Sequence, residues 1–198
     1  MHSCALLSDE TLACWGTPDL VASTPGGEFS QVSCGGHHSC AIRRGGELVC
    51  WGKPVEFEGE YQDAPKGRFV QVSAGEEHNC AIDEAGAIHC WGSDRSGESD
   101  APNGQFVQVS AGYKHHSCAV DVEGRAMCWG ANMHGESSET PDEEEFAQVT
   151  AGRSFTCGLL SSTSRVICWG NMRAPDNVNT KTLIQITAGE PRYIDYIL

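Results

Sequence analysis

Eleven cysteines stand in this 198-residue chain, and ten of them fall into five couples of near-constant spacing. Cys4 is followed by Cys14, Cys40 by Cys50, Cys80 by Cys90, Cys118 by Cys128 and Cys157 by Cys168, with nine or ten residues between. Thiols so placed can bridge, hold a metal, or stay reduced as small buried hydrophobes. Zinc is the weaker reading, because no Cys-x-x-Cys and no matched His spacing occurs. The odd one, Cys34, occupies a column filled elsewhere by Ala74, Ala111, Ala151 and Ala188 and reads as a small core residue. His2, His38, His78 and His116 stand two residues before the first Cys of their couples, with Phe155 in that place in the fifth. A ring of His invites a metal. Yet repeats would spread these side chains around an axis, too far apart for one ion, and Phe155 breaks the set. They read as structural histidines bonded to neighbouring backbone, while His37 and His115 read as solvent-facing. There is no Gly-rich phosphate loop, no Gly-x-Ser-x-Gly and no carboxylate pair at catalytic spacing. The expectation is no catalytic residue, no metal and no cofactor.

The elements that must position these residues repeat with them. Each second Cys is followed by Trp-Gly, at Trp15, Trp51, Trp91, Trp129 and Trp169, a period of 36 to 40 residues. Ahead of four units runs a second mark: Gln31-Val-Ser-Cys-Gly35, Gln71-Val-Ser-Ala-Gly75, Gln108-Val-Ser-Ala-Gly112 and Gln148-Val-Thr-Ala-Gly152. Gln185-Ile-Thr-Ala-Gly189 is left at the end. Such a period means stacked or circular repeats. In the unit from Phe69 to Gly92, three short β-prone runs are separated by Ala74-Gly75 and by the turn cluster Asp83-Glu-Ala-Gly86. Placing Cys80 opposite Cys90 sets Ala81 against His89 and Ile82 against Ile88. That leaves a three-residue hairpin loop with Gly86 in the left-handed slot. Gly46 and Gly124 fall in the same slot. Glu10 occupies it in the first unit and the fifth unit has an extra residue, so those two turns are expected to differ. Cysteines directly opposite in a hairpin lie within bridging reach. The register therefore favours five disulfides over five reduced pairs.

Together, Gln-Val-Ser-Ala-Gly-x-x-His-x-Cys-Ala-Ile followed by Cys-Trp-Gly resembles the repeat of the regulator of chromosome condensation family, in a cysteine-bearing variety. The links Gly92-Ser-Asp-Arg-Ser-Gly-Glu98 and Gly130-Ala-Asn-Met-His-Gly-Glu136 resemble that family's Gly-x-Asn-x-x-Gly-Gln connector. The resemblance implies an all-β chain, a β-propeller of short antiparallel blades. The units lie near 1–16, 29–52, 69–92, 106–130 and 146–170, with a partial unit at 183–198, in a single domain over 1–198. That is material for five blades, or six if the ends count separately, where the family commonly has seven. Either the C-terminal strand completes the first blade, or the chain belongs to a longer propeller. Tryptophans at one repeat position are expected to pack between blades. Some relatives sense ultraviolet light through tryptophans flanked by arginines, but no Arg-rich setting surrounds Trp51, Trp91 or Trp129.

Composition bounds the partners. Lys and Arg number 13 against 27 Asp and Glu, a formal charge of −14 that repels phosphate backbones and argues against nucleic acid. No apolar run is long enough to span a bilayer, so no direct membrane insertion is expected. No basic-then-apolar leader precedes the first unit, and Met1 reads as an internal or trimmed start. Disulfides would place the chain in an oxidising compartment. The acidic run Asp142 to Glu145 reads as a solvated loop. The frame repeats, but the residues after Ala-Gly and after Trp-Gly do not. The first set is Gly36-His37, Glu76-Glu77, Tyr113-Lys114-His115, Arg153-Ser154 and Glu190-Pro191; the second includes Thr17-Pro18-Asp19, Lys53-Pro54-Val55 and Asn171-Met172-Arg173. Strand directions put both sets on one face. Varied loops on a rigid frame are where recognition sits. Tyr113, Lys114, Arg153, Met133 and His134 are the candidate anchors for a protein partner. The expected function is a non-enzymatic protein-binding propeller, working alone or as an accessory subunit. A regulatory domain of the small-GTPase exchange-factor type and a structural spacer of a cell-surface or matrix protein are the alternatives.

Overall fold

β-Branched and aromatic runs of five or six residues, punctuated by Gly, form strands throughout this chain. The computed structural model describes residues 2–52, 64–174, 185–188 and 194–197. The first two strands, β1 (His2–Leu6) and β2 (Leu12–Gly16), form a hairpin followed by a one-turn helix, α1 (Pro18–Ala22). Three-stranded antiparallel sheets follow: β3 (Phe29–Cys34), β4 (His38–Arg43) and β5 (Leu48–Gly52), then β6 (Phe69–Ala74), β7 (His78–Asp83) and β8 (Ile88–Gly92). The next are β9 (Phe106–Ala111), β10 (His116–Asp121) and β11 (Ala126–Gly130), then β12 (Phe146–Ala151), β13 (Phe155–Leu160) and β14 (Val166–Gly170). A last pair, β15 (Gln185–Ala188) and β16 (Ile194–Ile197), carries the partial unit. In every three-stranded sheet the second strand is central. The architecture is all-β, a row of propeller blades.

The expected hairpin register holds throughout. Cys80 faces Cys90, Ala81 faces His89 and Ile82 faces Ile88, and the other four cysteine couples are likewise opposite. All five couples are disulfide-bonded, with Cα atoms 4.0–4.1 Å apart. The turns of Gly46, Gly86 and Gly124 use φ of +91°, +85° and +83°. Glu10 corrects the expectation for the first turn. It takes φ +65° in the same hydrogen-bonding pattern, its N–H donating to the Leu7 carbonyl as Gly86 N–H donates to Asp83. The turn recurs because its carbonyl has a second task. Glu10, Gly46, Gly86 and Gly124 each accept from the N–H of the Phe that opens the next unit, at 2.7–2.8 Å.

The cores lie between the sheets. Central strands such as β7 are buried on both faces, since a neighbouring blade covers each. Cys80 and Ile82 of β7 meet Phe106, Val109 and Ala111 of β9 and Ala119 of β10, with Trp129 packed against them. Corresponding clusters join the other neighbours, and Leu20 of α1 fills the one beside Trp51. The first strand of each three-stranded sheet is bulged after its Phe, which leaves Val70 and Val107 exposed while Phe69 and Phe106 stay buried.

Candidate loop-presenting face

Most residues of the repeated motifs are used in joining one blade to the next. The amide of Gln71 accepts from Val109 N–H at 2.8 Å and donates to Val109 C=O at 3.2 Å. Gln108 does the same to Val149, and Gln148 to Ile186. Two residues on, the hydroxyls of Ser33, Ser73 and Ser110 accept from the N–H of Ala74, Ala111 and Ala151. The glycine after each Ala is required by the same proximity. A Cβ on Gly75 would lie 2.5 Å from the Gly112 carbonyl oxygen, and one on Gly112 would lie 2.9 Å from that of Gly152.

The histidines belong to this frame, chiefly through side chains of the next blade, while His116 Nδ1 also meets the backbone carbonyl of Lys114 at 3.2 Å, as expected. His38 Nε2–H donates to the Asn79 side-chain oxygen at 2.7 Å, and His78 Nε2 bonds the Ser117 hydroxyl at 2.8 Å. His116 bonds Thr156 at 3.1 Å, and His2 bonds Ser39 at 2.6 Å. Each partner is the residue after the corresponding His, or after Phe155, on the next blade. Burial lowers the His38 pKa to about 4 and that of His78 to about 3, and lowers His116 as well. These rings are neutral donors. Among the described residues no group of three His, Cys, Asp or Glu is placed to hold a metal ion.

The connectors are clamped from the same side. Trp129 Nε1 and Ser117 Oγ both donate to the Glu98 carbonyl, and Trp169 Nε1 and Thr156 Oγ1 both donate to that of Glu136. Trp15 differs: it is 56% exposed. The Glu98 side chain is fully buried. Burial pushes its carboxyl up, but backbone N–H groups of Glu98 and Ser96, the Ser93 hydroxyl and His115 outweigh that and hold it at about 2. His115 therefore departs from expectation. Its Nδ1 donates to Glu98 at 2.9 Å and its backbone sits at φ +44°.

Both variable loop sets do share one face. Ser93 N–H donates to Glu77 C=O, Ala131 to His115 and Asn171 to Ser154, so the Trp-Gly ends of β8, β11 and β14 each meet the Ala-Gly loop of their own blade. Tyr113 N–H donates to Gly152 C=O at 3.0 Å, which sets the Tyr113-Lys114 loop beside the Arg153 loop of the next blade. Lys114 and Arg153 come together at a pocket of about 340 Å³ completed by Ser154, Phe155, Asn171 and Met172. Met133 and His134 lie in the connector after β11, exposed, Met133 at 87%, and outside that pocket. His134 is held by its own N–H donating to Glu136. The loops Lys53-Pro54-Val55 and Glu190-Pro191 lie outside the described residues. Asn171 and Met172 were legible only as one of several variable links, because pocket membership depends on which loops adjoin.

Residues 29–56, 69–98 and 106–136 each match the regulator of chromosome condensation (RCC1) repeat. No curated protein matches the sequence significantly. Similar solved structures include the entire ectodomain of the receptor kinase CR4 from Physcomitrella patens, with a TM-score of 0.81 at 24% identity. That comparison covers 96% of this chain and 56% of the other. The ectodomain of the receptor kinase ACR4 from Arabidopsis thaliana gives 0.67 at 24% identity, covering 88% and 63%. Yeast RCC1 (Prp20), solved with Kap60, gives 0.76 at 18% identity, covering 96% and 64%. The chain thus spans 56–64% of the length of these three relatives. At such identities the likeness concerns the fold.

Proposed function

This chain is built of RCC1 repeats, and from that premise we propose that it is a non-enzymatic recognition module that presents its loop face to a protein partner. One observation carries the reading. The residues that repeat are spent on contacts between blades, while those that vary gather on one face, at the Ala-Gly loops and the Trp-Gly links. A frame with its polar groups committed internally holds such loops still, which lowers the entropy lost on binding. Tyr113, Lys114, Arg153, Met133 and His134 are the anchors on this proposal.

The setting is an oxidising compartment. Five disulfides would not persist in a reducing cytosol. Two of the similar structures are receptor ectodomains, which agrees with that setting. The same bridges and the −14 charge weigh against a chromatin-bound exchange factor.

Affinity capture from the native source tests the proposal, using the wild-type chain beside a bait with residues 113–115, 133–134 and 153–154 replaced by Gly and Ser. A stoichiometric protein retained by the first and lost by the second is the expected result. Equal recovery on both baits, or none on either, would leave the loops idle and the chain a spacer.

A further inference from the structure

This is an acidic chain in which four of the described cations are paired. Arg44, Arg68, Arg95 and Arg125 each pair with a carboxylate, and Arg43 lies 5.1 Å from the Phe29 ring centre. Lys66, Arg165 and Arg173 are exposed without an ion pair among the described residues, but only Lys114 and Arg153 meet at one pocket. Both are exposed, neither has an ion-pair partner among the described residues, and they reach one pocket from neighbouring blades. The walls of that pocket are tied together. Gly112 N–H donates to His116, Tyr113 to Gly152, Gly152 to Phe155 and Asn171 to Ser154, all at 2.8–3.0 Å.

Glu77 is 3.4 Å from Arg95. Glu76 lies close enough for Lys114 and Arg153 to draw its carboxyl down, and burial, with Glu77, raises it by more. Two exposed charges of one sign on a rigid wall, in a molecule of the opposite sign, favour a ligand that brings a carboxylate within pairing distance of both. The half-buried Met172 beside them offers an apolar contact next to that carboxylate.

Resting on the loop-face reading above, we infer that this pocket receives an acidic peptide segment of the partner. An Asp or Glu carboxylate sits between Lys114 and Arg153, and an adjoining apolar side chain lies against Met172.

The test is selection of a phage-displayed random dodecapeptide library on the intact chain, followed by titration of the selected peptides as synthetic, capped molecules. The expected outcome is enrichment of Asp or Glu next to an apolar residue. Affinity should fall at least tenfold in Lys114→Glu/Arg153→Glu and by a similar factor when the peptide's Glu is changed to Gln. It should fall less than twofold in Arg44→Glu/Arg68→Glu, which makes the same charge change on the opposite face. Both variants alter exposed side chains, and unchanged circular dichroism checks that they fold. Neutral or basic peptides, no enrichment, or acidic peptides that bind Lys114→Glu/Arg153→Glu undiminished would overturn the inference. So would a sulfated heparin oligosaccharide that binds the wild type more tightly than any selected peptide. These failures leave the loop-face reading standing, since the partner-capture experiment decides it separately.

Discussion

His78 is fully enclosed between two blades, neutral, and donates to Ser117. Its ring, with those of His38 and His116, makes stability depend on pH with a defined sign. Each has a folded pKa below its unfolded value near 6.5, so between the two the unfolded chain binds more protons. Their contribution is intact above about pH 6.5 and declines as pH falls, by up to about 1.4 kcal/mol per pH unit for each ring. For His38 the decline continues to about pH 4 and for His78 to about pH 3. Glu98, held at about 2, adds a further loss only below its unfolded value near 4.5. Urea denaturation from pH 8 to pH 4 should show the midpoint falling steadily below pH 6.5, and a flat profile would contradict this account. A second residue-scale expectation concerns Glu10, a non-glycine residue at φ +65° in a slot held by Gly in three other turns. Glu10→Gly should stabilise the chain by about 0.5–1 kcal/mol, the left-handed strain outweighing a surface ion pair with Arg44. Thermal melting checks it.

At the scale of elements, the first strand of each three-stranded sheet is bound to its counterpart through side chains rather than through a backbone ladder. Gln108 makes a donor and an acceptor contact with Val149, at 3.0 and 2.9 Å. Gln108→Ala removes both and leaves the Val149 N–H and C=O without that partner. A loss of about 1–3 kcal/mol is expected in chemical denaturation. Gln108→Glu should be no better, because its carboxylate can accept from Val149 N–H but cannot donate to Val149 C=O. The bulge after each opening Phe belongs to the same arrangement. It turns Phe69 and Phe106 inward while their N–H groups reach the turn carbonyls of the preceding blade.

For the molecule as a whole, each blade core is thin, and the disulfides supply what a larger core would supply elsewhere. A bridge closing about eleven residues contributes roughly 2–3 kcal/mol in the chain-entropy model. Five such bridges are comparable with the entire stability of a typical domain. Reduction with dithiothreitol at neutral pH should therefore abolish the cooperative thermal transition. Retention of that transition after complete reduction, checked by mass spectrometry, would assign stability to the inter-blade contacts alone. The −14 charge fits the same picture, since its mutual repulsion opposes compaction.

The hairpin register, the disulfide couples and the all-β repeat were all legible in the amino-acid order, because they depend on spacing within one unit. Cys80 and Cys90 flank a turn, and the period of 2 in a strand leaves little choice of which side chains meet. Gathering the variable loops on one face followed from the same strand directions. Contacts between units were not legible. Nothing local says that Gln71 serves Val109, that His78 serves Ser117, or that Trp129 holds the Glu98 carbonyl, since each pair is separated by 31–39 residues. His115 looked like a free surface residue until the chain brought Glu98 beneath it, and Glu10 looked incompatible with a turn that it adopts. The meeting of Lys114 with Arg153 has the same origin. Two cations 39 residues apart in sequence become neighbours only when adjacent blades pack, and packing across blades is a property of the assembled fold rather than of any single repeat.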